Sequence, residues 1–256
     1  MKIHKHGFIH LLGHYGDDTT IANAARVSYT GQQPKTKDRA LLRYLMRHKH
    51  TSPFEMVMFQ FYVKAPIFIA RQWMRHRTGK YNEQSGRYVT LADNLFLPDT
   101  IHYAPTENKQ GRGEVHEQSQ SLRNAIAIQY ESAKELYHVL LSQGVCPEQA
   151  RMVLPVAQYT EFVFEMDLHN LLHFLKLRLD PHAQKEIRDY AEAILTLIKP
   201  IVPLSVEAWE DYSLNSYTLS RDEVTATKRL ISGQSFDRGS MSDREVKAYK
   251  QMFGVV

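Results

Sequence analysis

At 256 residues the chain has room for one large domain or two small ones. Its composition, 43% hydrophobic and 23% charged, is that of an ordinary soluble globular protein. No apolar run approaches the length that spans a bilayer, and the single cysteine, Cys146, excludes an intrachain disulfide. The net charge of +4 suits nucleic acid and equally suits small anionic substrates. The N-terminal stretch is too polar and too rich in histidine for a secretory signal, so the expected location is cytoplasmic.

Taken in order, residues 2–12 read as a strand around Gly7. Asp17, Asp18 and Thr19 offer caps for a helix through Ile21, Ala24, Ala25 and Val27. Gly31, Gln32, Gln33 and Pro34 read as a loop. Asp38 opens a helix whose buried side is Leu41, Leu42, Tyr44, Leu45 and Met46. It ends in the basic run Arg47, His48, Lys49 and His50, favourable at a helix C-terminus. After a turn at Ser52-Pro53-Phe54, Val57, Phe59, Phe61 and Val63 alternate with Met56, Met58, Gln60 and Tyr62. Both faces are largely apolar, which predicts a central strand.

Pro66 suits the first position of a short helix that carries Gln72 and Arg75, three apart on one face. Periodicity stops after Met74. Thr78-Gly79 and Ser85-Gly86 are turn signals, so a helix is expected to end in a polar, basic loop. That loop and its helix hold Arg71, Arg75, Arg77, Lys80 and Arg87 with His76, Glu83 and Ser85. Arginine forks match phosphate or carboxylate oxygens two at a time, so the cluster suits an anion. A solvated basic surface would have the same charge but seldom interleaves Trp, His, Asn and Tyr with its arginines.

Residues 93–116 read as an exposed excursion. Ile126, Tyr130, Ala133, Tyr137 and Leu140 predict a long amphipathic helix. A short helix after Pro147 includes Arg151. Phe162, Phe164 and Met166 alternate with Glu161 and Glu165 as a second strand. Helices follow over Leu168–Arg178, through Ile187 to Ile198, and from Val206 to Tyr212. From Ser213 the chain turns polar, with one weak helical pattern near its end. The expected organisation is one large domain over residues 1–212 and a polar extension over 213–256 that docks on a partner subunit or stays mobile.

His169 and His173 lie four apart on one helical face, with His182 beyond, a spacing that suits zinc. No third ligand is set by spacing and no HExxH pattern is present, so no metal is expected. Arg178 at a helix C-terminus needs no function beyond the helix dipole.

Arg75-His76-Arg77, followed after seven residues by Ser85-Gly86-Arg87-Tyr88, resembles the signature of the flavin-dependent thymidylate synthases. Arg71-Gln72-Trp73 and Asn82-Glu83 match it too. Further matches are Ala22–Arg26 with Ser28 and Tyr29, His50–Glu55, Arg151 with its neighbours, and the block from Phe174 through Arg178 and Gln184 to Ile187. The resemblance implies an α+β fold, a helix-rich single domain around a small, mainly antiparallel sheet. It implies conversion of dUMP to dTMP, with methylenetetrahydrofolate giving the one-carbon unit, FAD carrying the hydride and NADPH reducing the flavin.

By position, dUMP would be held by Gln72, Trp73, Met74, Arg75, Glu83, Gln84, Ser85, Gly86, Arg87, Arg151 and Arg178. Arg178 would carry the catalytic role, favouring negative charge on the uracil ring. FAD would be held by His50, Ser52, Arg75, His76, Arg77, Glu83, Asp167, Leu168, His169 and His173. The family often has Asn where Asp167 stands, and an acid beside flavin phosphates is unfavourable. Ser85 is assigned to binding, since no His–carboxylate relay is evident to make it a nucleophile. Family resemblance also implies a homotetramer with shared active sites. Two rival readings are a single-stranded nucleic-acid-binding protein, with Trp73 and Tyr81 as stacking platforms on the 71–87 segment, and a catalytically silent nucleotide-binding relative.

Overall fold

The computed structural model describes residues 1–27, 37–106 and 111–254. The loop expected at Gly31–Pro34, the matches at Ser28 and Tyr29, and part of the 93–116 excursion lie outside the described residues. The chain divides into two compact units, Met1–Tyr212 and Ser213–Val256.

The first unit is α+β, built on a five-stranded antiparallel sheet of order β1-β2-β3-β5-β4. Its strands are β1 (Lys2–Ile3), β2 (Gly7–Tyr15), β3 (Met58–Pro66), β4 (Lys80–Glu83) and β5 (Tyr159–Asp167). β3 is central, as its two apolar faces predict, and pairs with β5 over its whole length from Met58↔Asp167 to Pro66↔Tyr159. Phe59, Phe61, Val63, Phe162, Phe164 and Met166 point to one buried face. At about 25 cal/mol per Å² of apolar surface, such a layer of aromatic side chains dominates the stability of the unit.

Two differences from the expected strands have identifiable causes. The single strand over residues 2–12 is a hairpin: His4 adopts φ 55 and turns the chain. Gly7 restarts it, because a side chain there would collide with the Tyr190 hydroxyl and the Ile3 carbonyl. The second difference lies in the basic loop, where Lys80–Glu83 forms an edge strand on β5. The tyrosine in its middle drives this. Tyr81 stacks on Phe164 at 5.3 Å and donates its hydroxyl to the His76 carbonyl at 2.9 Å.

The helices of this unit are α1 (Asp18–Arg26), α2 (Asp38–Arg47), α3 (Ile67–Trp73), α4 (Ser119–Ser142), α5 (Pro147–Ala150), α6 (Leu168–Arg178), α7 (Lys185–Ile198) and α8 (Pro203–Trp209). Asp17 caps α1 in a capping box with Thr20. Pro66 closes β3 and sits just before α3 rather than inside it. α6 and α7 carry the buried residues Leu168, Leu171, Leu172, Phe174 and Leu175, and Ile187, Tyr190, Ala191 and Ile194. Of the 24 residues of α4, only Tyr137 is buried.

The second unit holds two helices, α9 (Arg221–Ile231) and α10 (Asp243–Phe253), where the sequence shows one weak pattern. Ser220 and Ser242 each begin a capping box, with Glu223 and Glu245 three residues on. Ala226, Met241 and Tyr249 form a small core with Leu230, Phe236 and Val246 packed against it.

Candidate active site

The site is assembled where α3 ends, where β4 leaves for the Ser85 turn, and where α6 finishes. Trp73, the last residue of α3, is fully buried. Its indole lies 5.2 Å from Phe174 and meets Phe162, Phe164 and Tyr190 edge-on. That anchor holds the end of α3 against α6. It brings the next residues, Met74 to Arg77, over the last turn of α6.

There Arg178 Nε donates to His76 Nε2 at 3.0 Å. Its Nη2 donates to the Gln72 carbonyl at 3.4 Å. The Gln72 side-chain amide in turn donates to the Gln184 amide oxygen, at the entrance to α7. His76 stands edge-on to Phe174 at 4.8 Å. Burial, the Arg178 charge and His173 together lower its pKa to about 4, so the imidazole is neutral at pH 7. Desolvation and the nearby charge of Arg75 lower the Arg178 pKa, without removing its charge at neutral pH.

The other arginines stand in water. Arg75 and Arg77 are exposed, and among the described residues neither enters a hydrogen bond or an ion pair. Arg87 pairs with Glu148 at 2.8 Å and lies over the Tyr88 ring. Glu83 accepts from the Thr160 hydroxyl at 2.7 Å, and the Gln84 N–H donates to the Glu161 carbonyl at 2.9 Å. Ser85 Oγ accepts the Arg87 N–H at 3.3 Å, while its carbonyl accepts the Tyr88 N–H at 3.1 Å. Gly86 is buried, and a side chain there would press on Leu91 and on Arg151 Cδ, 3.3 Å away. Close approach is therefore what Gly86 supplies, and it joins Arg151 to the Ser85 turn.

On the α6 side, His169 is half-buried and His173 exposed, its ring 6.4 Å from that of His76. His50 and Ser52 are exposed in the turn after α2. Three of the expected site residues have structural roles of their own. The Trp73 side chain is fully buried in the core, which leaves it unavailable as a stacking platform. Leu168 is likewise fully buried, and its N–H donates to the Val57 carbonyl. Asp167 is the N-cap of α6, accepting the Asn170 N–H at 3.0 Å and its side-chain amide at 2.7 Å. The acid thus has a local partner set, which accounts for its presence without any phosphate.

Sequence reasoning passed over Gln184, Thr160 and Glu148, which hold Gln72, Glu83 and Arg87 in place. Gln184 lies inside a block that the sequence singles out, but nothing in its spacing points to Gln72, 112 residues earlier. Among the described residues, no cluster of three or more His, Cys, Asp or Glu side chains is placed to hold a metal ion.

An antiparallel sheet flanked by helices, presenting arginines and a serine-glycine turn beside one half-buried guanidinium, is an α+β protein with the donors to bind a phosphorylated anion. Comparison with known proteins narrows this. Residues 10–204 match the family described as thymidylate synthase complementing protein. A flavin-dependent thymidylate synthase of Thermus thermophilus is 47% identical over 255 residues, covering 97% of this chain and 94% of its own. Another from Treponema denticola is 45% identical, covering 91% and 90%. The chain belongs to the family of flavin-dependent thymidylate synthases. Among solved structures, the UMP/dUMP methylase PolB from Streptomyces cacaoi, bound with 5-Br dUMP, superposes with a TM-score of 0.76 at 33% identity. It covers 85% of this chain and all of that one, 100%.

Proposed function

We propose that the protein methylates dUMP to dTMP, with methylenetetrahydrofolate as one-carbon donor, FAD as hydride carrier and NADPH as the reductant of the flavin. The observation that carries this reading is Arg178, a half-buried guanidinium clamped between His76 and the Gln72 carbonyl. A fixed cation in a partly dry site favours charge that develops on a ring beside it, at no cost of reorganisation. Placed along the uracil edge, Arg178 would favour negative charge on the ring and so make its C5 more nucleophilic.

Gln72, Arg75, Ser85, Gly86, Arg87 and Arg151 are assigned to dUMP, with Met74, Glu83 and Gln84 beside them. The amides and hydroxyl of the Ser85 turn suit a phosphate monoester. Arg87 would exchange Glu148 for that phosphate, an exchange that an exposed ion pair allows at little cost. Ser85 has no base within reach among the described residues, so the site offers no side-chain nucleophile there.

The residues present fit a flavin dinucleotide. Its two phosphates need cations that the protein does not already neutralise, and Arg75 and Arg77 are such cations. His50, Ser52, His76, Glu83, His169 and His173 complete the set, with the main chain at Asp167 and Leu168. Bound FAD supplies hydride transfer, which side chains cannot perform. We assign the protein to the cytoplasm as a homotetramer whose sites are shared between subunits. The exposed arginines, open on one side, are consistent with a neighbour completing each site.

The test is the visible absorption spectrum of the purified protein before and after adding dUMP. A flavin spectrum that dUMP perturbs supports one site for both ligands. A colourless protein that takes up no added FAD overturns the reading and brings the nucleic-acid alternative forward.

A further inference from the structure

Long side chains at helix C-termini ordinarily reach into water, their heads free to rotate. Arg178, the last residue of α6, is instead gripped at two atoms. We propose that His76 is a positioning residue for Arg178: as a neutral acceptor at Nε2 it fixes the rotation of the guanidinium and aims its remaining donors at the substrate ring. The inference rests on the reading of Arg178 given above. It gives His76 a task separate from the flavin contact that the family resemblance implies.

The geometry supports it from three sides. The imidazole is backed by the Phe174 ring, and its main-chain carbonyl is held by the Tyr81 hydroxyl, so Nε2 is presented in one direction. That nitrogen meets Nε of Arg178, the one guanidinium nitrogen whose hydrogen bond sets the orientation of the whole planar fork. With Nε on His76 and one Nη2 proton on the Gln72 carbonyl, both Nη1 protons and the second Nη2 proton remain for a ligand. A protonated His76 could not accept here and would repel Arg178. The low pKa that burial and Arg178 impose keeps the acceptor form present across the neutral range. The pair joins segments 102 residues apart, so the loop after α3 and the end of α6 are held as one unit.

The test uses the full-length protein as purified, with dUMP affinity read by calorimetry and flavin content by absorbance. His76→Leu removes the acceptor, whereas His76→Gln offers an oxygen at similar reach. Loss of a hydrogen bond to a charged group should weaken dUMP binding about tenfold or more in the Leu variant, and about threefold at most in the Gln variant. Because His76 is also assigned to FAD, each variant is saturated with FAD before the dUMP titration, so that the difference between Leu and Gln reads the hold on the guanidinium alone. In an Arg178→Met background the Leu substitution should have almost no further effect, because methionine has no N–H for His76 to hold. His76→Asn, whose amide stops short of Arg178, replaces the Leu variant if that protein fails to fold.

Equal losses of dUMP affinity in the Leu and Gln variants, each saturated with FAD, would reduce His76 to a flavin contact and overturn the inference. So would an undiminished effect of the Leu substitution in the Arg178→Met background. Wild-type dUMP affinity in Arg178→Met alone would instead overturn the role assigned to Arg178, a distinct failure.

Discussion

Arg178 and the pair Arg75 and Arg77 carry the same group into the same site, yet the fold treats them differently. Arg178 is half-buried, and two protein acceptors fix its direction before any ligand arrives. Arg75 and Arg77 are exposed, with no hydrogen bond or ion pair among the described residues. A guanidinium held in place can stabilise charge that appears only during a reaction. A free one can neutralise a permanent anion, at the cost of ordering its side chain when the anion binds. On the function proposed above, the contrast separates a reacting edge from a phosphate-gathering surface.

The comparison can be broken most severely at Trp73. Its indole ties α3 to α6, and Trp73→Ala should cost about 3–5 kcal/mol, the range for removing a large buried aromatic. Denaturant unfolding would measure this, and a loss under about 1 kcal/mol would mean that the indole is not the anchor. Arg178→Ala comes next. It should lower dTMP formation by about 10²–10³, the scale of losing one preorganised charge-stabilising group, while the melting temperature and oligomeric state stay near those of the parent. Normal turnover in that variant would remove the assigned role.

Arg77→Ala should show the opposite balance. Stability should change by no more than about 0.5 kcal/mol, as for surface positions generally. FAD affinity should fall, and fall more at low ionic strength than at high, because exposed charges are screened by salt. A change in affinity independent of salt would place Arg77 outside the phosphate contacts. The gentlest effect is that of pH on His76. Its folded pKa of about 4 lies below the ordinary value of 6.5, so between these the unfolded chain binds more protons. Its contribution to stability is therefore present above pH 6.5 and declines as pH falls towards 4. The denaturation midpoint of the parent should decline over that window more steeply than that of His76→Gln, and parallel curves would deny the shift.

Much of this was legible in the chain. The alternation at Val57–Val63 and Phe162–Met166 marked the two central strands, since period-two apolar residues have few other ways to be buried. The capping residues Asp17 and Asp18 placed the start of α1 to within a residue or two, because caps act locally. The mixture of Arg75, His76, Arg77 and Ser85 with Trp and Tyr marked a candidate anion cluster, and their ligand roles came from family resemblance. Lys80–Glu83 was not legible as a strand, because its pairing depends on β5, far along the chain, and its own residues look polar.

What the sequence determined by itself was the inventory and the local geometry: which donors exist, where helices begin and end, and which strands lie inside. Only the tertiary structure decided the use of each group. It turned Trp73 inward among Phe162, Phe164 and Phe174 and gave Asp167 to a helix cap. It also set His76 against Arg178 across 102 residues of chain. Local preferences follow from neighbouring residues and their torsions. A partner brought from so far is chosen by packing, and no spacing along the sequence carries that information.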